Sequence, residues 1–176
     1  PINTIVDITN YVMMECGQPL HAFDYNSISG KKIIVKNAGS TKKFKTLDGK
    51  ERNLRDDILL ICDGEKPVAL AGIMGGENSE INDKTVNVFI ESAYFDPVLT
   101  RLSSKYLGLQ SDSSYRFERG VDVDRTKWAC KRAAELIAEH GGGKVVNGFI
   151  DNYPAKLEKL NVSLRLSHLN RIAGIE

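Results

Sequence analysis

"VNVFIESAYFDPVLTRLSSKYLG", residues 86–108, changes its period halfway along. Val88, Phe89, Ile90 and Ala93 form an apolar run rich in β-branched and aromatic residues, which predicts a buried strand; beyond Phe95 the apolar positions recur at helical spacing. Asp96 suits the N-cap of that helix, Pro97 its first turn, where no amide hydrogen is needed, and Gly108 the left-handed residue that closes it. Upstream, "KIIVKNA" (32–38), "KFKTL" (43–47), "ILLICD" (58–63) and "PVALAGI" (67–73) are further short strand-like runs, punctuated by the turn pairs Asp48-Gly49 and Asp63-Gly64. At the start, "NTIVDITNYVMMECGQP" (3–19) places Ile5, Ile8, Val12 and Cys16 on one helical stripe, with Asn3 as cap, Gly17 as C′ and Pro19 as the stop. His21 is therefore expected just past a helix end. A second long helix is expected from about Arg125 to His140, with Trp128, Ala129, Ala133, Leu136 and Ile137 as its apolar face and Gly141 to Gly143 ending it. The pattern defines an α+β fold, a strand-rich core of mixed or antiparallel sheets with flanking helices.

Two more strands, "KVVNGFI" (144–150) and "KLNVSLRL" (159–166), are expected on either side of the loop "DNYPAKLE", and a fresh helix starts near Ser167. Two turns of amphipathic helix have little to bury alone. Residues 1–156 are accordingly read as one domain and 157–176 as the beginning of another, with both ends as cuts in a longer chain.

Composition narrows the functional classes. Of 176 residues, 41% are apolar and 27% charged, as in an ordinary globular domain, and no apolar run is long enough to span a bilayer. Cys16, Cys62 and Cys130 are odd in number and widely spaced, which suits buried thiols in a reducing cytoplasm rather than a disulfide framework. A net charge of +1 argues against a surface built to grip long stretches of nucleic-acid backbone. His21, His140 and His168 lie far apart and no C-x-x-C or H-x-x-x-H pair accompanies them, so no metal site is expected.

A few residues stand out chemically. Glu91 is a carboxylate inside a greasy strand, costly there unless it is paired or used; an ion pair with Arg116 or Arg119 and a polar group held ready for a ligand are both open. Gly72, Gly75 and Gly76 close an apolar strand, either as a tight turn or as backbone brought close to a ligand. His21 is either a hydrogen-bonded structural residue or a group that titrates near neutral pH beside a site. In "SDSSYRFERGVD" (111–122), Ser111 and Ser113 lack the G-x-S-x-G elbow of a nucleophile, which disfavours a serine hydrolase, and Arg116, Glu118 and Arg119 fit either phosphate contacts or an internal ion-pair network.

Four stretches in order, "ITNYVMMECGQPLHAFD", "ALAGIMGGENSEI", "VFIESAYFDP" and "SDSSYRFERGVD", resemble the B3/B4 region of the bacterial phenylalanyl-tRNA synthetase beta subunit, and the tail from Leu157 resembles the start of the B5 domain that follows it. The resemblance implies a B3/B4-like fold in the cytoplasm and an editing activity: hydrolysis of tyrosine wrongly esterified to the 3′ end of tRNA(Phe). It implies an alpha-subunit partner in an α2β2 heterotetramer, no membrane, no cofactor in this segment, and ATP and Mg2+ used by the parent ligase. Among site residues it implies Glu91 and His21 as the catalytic pair, Glu91 contacting the tyrosine hydroxyl and His21 positioning water or the terminal ribose. It places Thr9 and Asn10 nearby, Ala71 and Gly72 in the pocket wall, and Ser111 and Ser113 at positions that often hold threonine and alanine. The family also commonly has an arginine just before the proline that is first here, so the isolated segment is expected to be less active. The alternative to editing is a noncatalytic module that docks tRNA or packs subunits.

Overall fold

The computed structural model describes residues 1–158 and 161–174. They fall into two compact units, Pro1–Val145 and the residues from Val146 on.

The first unit opens with α1 (Thr4–Cys16), capped by the Asn3 side chain on the Val6 amide and closed by Gly17 at φ 77°. Antiparallel pairings follow. β1 (Leu20–Asp24) pairs with β8 (Val88–Ser92) as a separate two-stranded ribbon. β2 (Ile34–Asn37), β5 (Leu59–Cys62), β6 (Pro67–Leu70) and β7 (Met74–Gly75) form a four-stranded sheet in that order, and β3 (Lys43–Lys45) with β4 (Glu51–Asn53) makes a hairpin. The Asp63-Gly64 turn between β5 and β6 is held by the Asp63 carboxylate, which accepts from the amides of Ser29, Glu65 and Lys66. Three helices complete the unit: α2 (Pro97–Leu107), α3 (Asp112–Phe117) and α4 (Arg125–Gly141). The strand-to-helix switch at 86–108 forms as its residues dictate: Asp96 accepts from the amides of Val98 and Leu99, Pro97 opens the first turn, and Gly108 ends the helix at φ 58°.

The β1–β8 ribbon is the centre of the packing because both of its faces are covered. Side chains alternate across a strand, and residues directly opposite in an antiparallel pair share a face. Phe23 and Phe89 face Ile61, Val68 and Ala69 of the four-stranded sheet and the rings of Phe95 and Phe117. Leu20 and Ile90, on the other face, join Ile8 and Val12 of α1 and Ala129 and Ala133 of α4. A third cluster, including Phe44, Ile58, Leu60, Leu70, Leu107 and Leu109, closes the far side of the sheet. No helix among the described residues is long and apolar enough to cross a membrane.

Several expectations are corrected. His21 does follow the end of α1, as expected, but it also lies in a strand, β1, that was not foreseen because Leu20 to Asp24 finds its partner in β8, far along the chain. Trp128 is exposed; α4 packs through Ala129 and Ala133, whose small side chains let α1 approach. Of the cysteines only Cys62 is fully buried, while Cys16 and Cys130 are half-buried. Residues 144–150 and 161–165 form no strand: their apolar side chains are exposed, and no second strand among the described residues faces them. Lys159 and Leu160 of that expected strand lie outside the described residues. In the second unit the late helix forms as α5 (Leu166–Ala173), one residue ahead of Ser167.

Candidate active site

The register of β1 on β8 sets His21 opposite Glu91, so both side chains leave the ribbon on the face that carries Phe23 and Phe89. Both border a small cleft, about 50 Å³ of it accessible to water and its mouth open to solvent, whose other walls include Pro19, Leu20, Gly72, Met74, Gly75, Ser113 and Phe117. That enclosed space is of water size, far below the roughly 300–1,000 Å³ of a ligand site, so a ligand ring also occupies the open mouth.

The glycines of "ALAGIMGGE" build the floor. Leu70 accepts from the Ile73 amide at 3.0 Å, and Gly72, third in this turn, has φ 69°. A Cβ at Gly72 would stand 2.8 Å from the Phe95 ring and 3.3 Å from that of Phe117, so the position is closed to side chains by conformation and by space. The turn returns the chain through Gly75 against the histidine. There a Cβ would lie 2.5 Å from Cε1 and 2.7 Å from Nε2 of His21.

α3 supplies the opposite wall. Ser111 and Ser114 form a reciprocal capping box, and the Ser111 hydroxyl also donates to the Ile73 carbonyl at 2.6 Å. This bond ties the helix start to the glycine turn. Ser113 and Phe117, one turn apart, then face the cleft.

His21 and Glu91 are both half-buried residues, and partial loss of water sets their electrostatics. Burial alone pushes the Glu91 carboxyl up to about 7. Among the described residues no cation pairs with it: Arg116 is engaged with Asp112, and Arg119 with Glu118 while stacking over Tyr115. The expected ion pair of Glu91 with either arginine is thereby excluded. Burial lowers His21 to about 4, so its imidazole is neutral at physiological pH. Its ring packs edge-on to Phe23, centroids 4.4 Å apart, and its Nε2 is buried with no hydrogen-bond partner. An orphaned ring nitrogen beside a cavity is a group ready for a water or a ligand hydroxyl.

The structure brings together His21, Gly72, Glu91 and Ser113. It places the other four named residues elsewhere. Thr9 is buried in α1 and donates to the Val6 carbonyl, Asn10 is on the exposed side of that helix, Ala71 points into the core behind the turn, and Ser111 is committed to its cap and to Ile73. Pro19, Met74, Gly75 and Phe117 line the cleft without having been singled out from the sequence, though Gly75 belonged to the glycine cluster.

An α+β chain whose two-stranded ribbon carries a desolvated carboxylate and a neutral histidine over a glycine turn is thus a small-cleft domain. Residues 1–142 match the B3/4 domain family, and the chain belongs to it. Along its whole length it is 54% identical to the phenylalanine–tRNA ligase beta subunit of Salinibacter ruber, of which it covers 21%. It is 55% identical over 99% of its length to the beta subunit of Geobacter metallireducens, covering 22% of that protein, and 50% identical over 98% to that of Protochlamydia amoebophila, again 22%. The chain therefore spans about a fifth of the length of the curated relatives it matches.

Proposed function

We propose that this chain is the editing segment of a phenylalanine–tRNA ligase beta subunit and that it hydrolyses tyrosine esterified to the 3′ end of tRNA(Phe). The observation that carries the reading is Glu91, a carboxylate without a cation partner among the described residues, facing the same cleft as His21. Phenylalanine and tyrosine differ by one hydroxyl, and an apolar pocket rejects such an addition by only about 10²-fold. A buried group left unsatisfied by phenylalanine discriminates far more strongly in the other direction. Glu91, titrating near neutrality, accepts the phenol proton as a carboxylate or donates to the phenol oxygen as an acid. The phenol enters beside the small Ser113, over the bare backbone of the glycine turn.

In this reading His21 is a positioning residue. An imidazole titrating at about 4 is a weak base, but its free Nε2 can hold a water or the terminal ribose hydroxyl beside the ester. Water adds to the acyl carbon, the acyl–oxygen bond to the ribose breaks, and the departing oxygen takes up a proton, leaving tyrosine and a tRNA with free hydroxyls. Ester hydrolysis of this kind needs no cofactor. ATP and Mg2+ serve aminoacylation, which falls to the alpha subunit of an α2β2 assembly in the cytoplasm.

The rival, a noncatalytic docking or packing module, is disfavoured by the carboxylate and the orphaned His21 Nε2 held at one cleft, groups that packing or docking does not require. The test is deacylation of tyrosyl-tRNA(Phe) by the whole synthetase. Glu91→Ala should slow it by about 10²-fold or more, with phenylalanyl-tRNA turnover little changed; an unaltered rate with tyrosyl-tRNA overturns the reading.

A further inference from the structure

Helix α2 (Pro97–Leu107) is turned inside out. Its buried side carries Thr100, Ser103 and Ser104 besides Leu107, whereas Val98, Leu99, Leu102 and Tyr106 are 53%, 50%, 47% and 47% exposed. Leu99, Leu102 and Tyr106 stand at i, i+3 and i+7, with Val98 beside them, so the outward stripe has the spacing of a helix face that is meant to be covered. Small hydroxyls turned inward are not a defect in packing: the Ser104 hydroxyl donates to the Leu109 carbonyl at 2.5 Å, and the compact side chains seat the helix closely on the core. The consequence is that the apolar face has nothing to pack on within the first unit. A contiguous row of four large apolar side chains is the usual mark of an interaction surface.

The rim of the stripe is basic. Arg101 and Lys105 are exposed on the same helix, while Arg55, already paired with Asp57, lies over the Tyr106 ring, 4.7 Å from its centre. Three of the four apolar side chains, Val98, Leu99 and Leu102, are branched aliphatics, which favours a protein surface over RNA, whose bases are met chiefly by stacking rings. The relatives that contain this chain end to end are nearly five times as long, so most of the polypeptide available to cover the stripe belongs to the same molecule. We propose that the α2 stripe is a docking surface for another domain of the same full-length polypeptide, one that presents an apolar patch edged by carboxylates. The proposal rests on the reading of this chain as a segment of a beta-subunit-like protein, but not on the editing chemistry.

The experiment uses the full-length protein in its natural assembly. Hydroxyl-radical footprinting compares Tyr106 with Tyr11, a tyrosine of similar exposure on α1. Covered in the whole protein, Tyr106 should oxidise about tenfold more slowly than Tyr11, as expected for water exclusion at an interface core. A photo-crosslinker in the substitution Leu102→benzoylphenylalanine should then join α2 to a peptide of the same polypeptide outside residues 1–176. Equal oxidation of the two tyrosines overturns the proposal. So does a crosslink to a second copy, to another subunit or to RNA, each of which names a different occupant. Neither readout depends on deacylation, so a failed Glu91 test leaves this one standing and the reverse holds too.

Discussion

His21 and Glu91 are direct neighbours across β1 and β8, yet burial moves their titrations in opposite directions, the imidazole down to about 4 and the carboxyl up to about 7. Each group is driven to its neutral form, and near pH 5.5 the site holds two uncharged side chains rather than an ion pair. Desolvation outweighs mutual attraction when neither partner has a hydrogen-bonding network to stabilise its charge.

The first prediction follows from the signs of these shifts. Glu91, raised from 4.5, supports folding fully below pH 4.5 and loses that support as pH rises through about 7; His21, lowered from 6.5, supports it above 6.5 and loses that support as pH falls through about 4. Between 4.5 and 6.5 the two slopes oppose each other. Glu91→Gln removes one of them. The variant should gain stability over the parent between pH 4.5 and 8, with an upper limit of about 3 kcal/mol, and should itself weaken steadily below pH 6.5. Melting temperatures at pH 4.5, 6 and 8 decide it; a difference independent of pH would mean that Glu91 is not desolvated.

A second prediction concerns the glycine turn. Gly75→Ala puts a methyl group into the His21 ring, which is hemmed in by Phe23 and cannot retreat without leaving the cleft. Tyrosyl-tRNA deacylation should fall by about tenfold or more, together with a loss of stability of about 1–3 kcal/mol. Gly72→Ala forces a side chain into a left-handed turn and onto Phe95, and should cost about 1–3 kcal/mol. Paired unfolding and deacylation curves separate the two, and a Gly75→Ala protein with parental activity would show that His21 does not need its place.

What was legible in the sequence was whatever is decided locally. The caps Asn3, Asp96, Gly17 and Gly108, the Asp63 turn and the greasy strand around Glu91 declare themselves within a few residues. Long-range pairing does not. β1 carries His21 only because β8 lies alongside it, and a five-residue strand directly after a helix stop reads as loop. The amphipathic stripe of α4 misplaced Trp128 for a related reason: periodicity finds the apolar face but not how closely a neighbour packs, and at α1 alanines win. The cleft showed a similar division, with Glu91, His21 and Gly72 visible as unusual residues but Met74 and Phe117 ordinary until the fold brought them there.

Ser111 gives the third prediction. Its hydroxyl accepts from the Ser114 amide at 3.0 Å and donates to the Ile73 carbonyl, so one side chain caps α3 and fastens it to the glycine turn. Ser111→Ala should destabilise the domain by about 1–2 kcal/mol. Threonine retains both bonds and should restore most of the loss. Because Ser113 and Phe117 hang from this helix, the alanine variant should also deacylate tyrosyl-tRNA more slowly. A stable Ser111→Ala protein with full activity would show that the anchor is dispensable.

The last prediction tests the support behind the ribbon. Ala129 and Ala133 are fully buried where α4 meets Ile8 and Val12 of α1, and the ribbon's Leu20 and Ile90 rest on the same cluster. No cavity is needed to accommodate them; the helices are close because these side chains are small. Ala129→Leu must therefore push α4 away or force neighbours off their rotamers, at about 1–3 kcal/mol. The exposed ion pair between Arg132 and Glu15, 3.2 Å apart across the same helices, should contribute little and fade with salt. Comparing Ala129→Leu with Arg132→Ala by denaturant unfolding thus ranks packing against charge at one interface. Equal costs would place the cohesion of α1 and α4 in the ion pair, and the close approach of the two helices would then lose its explanation.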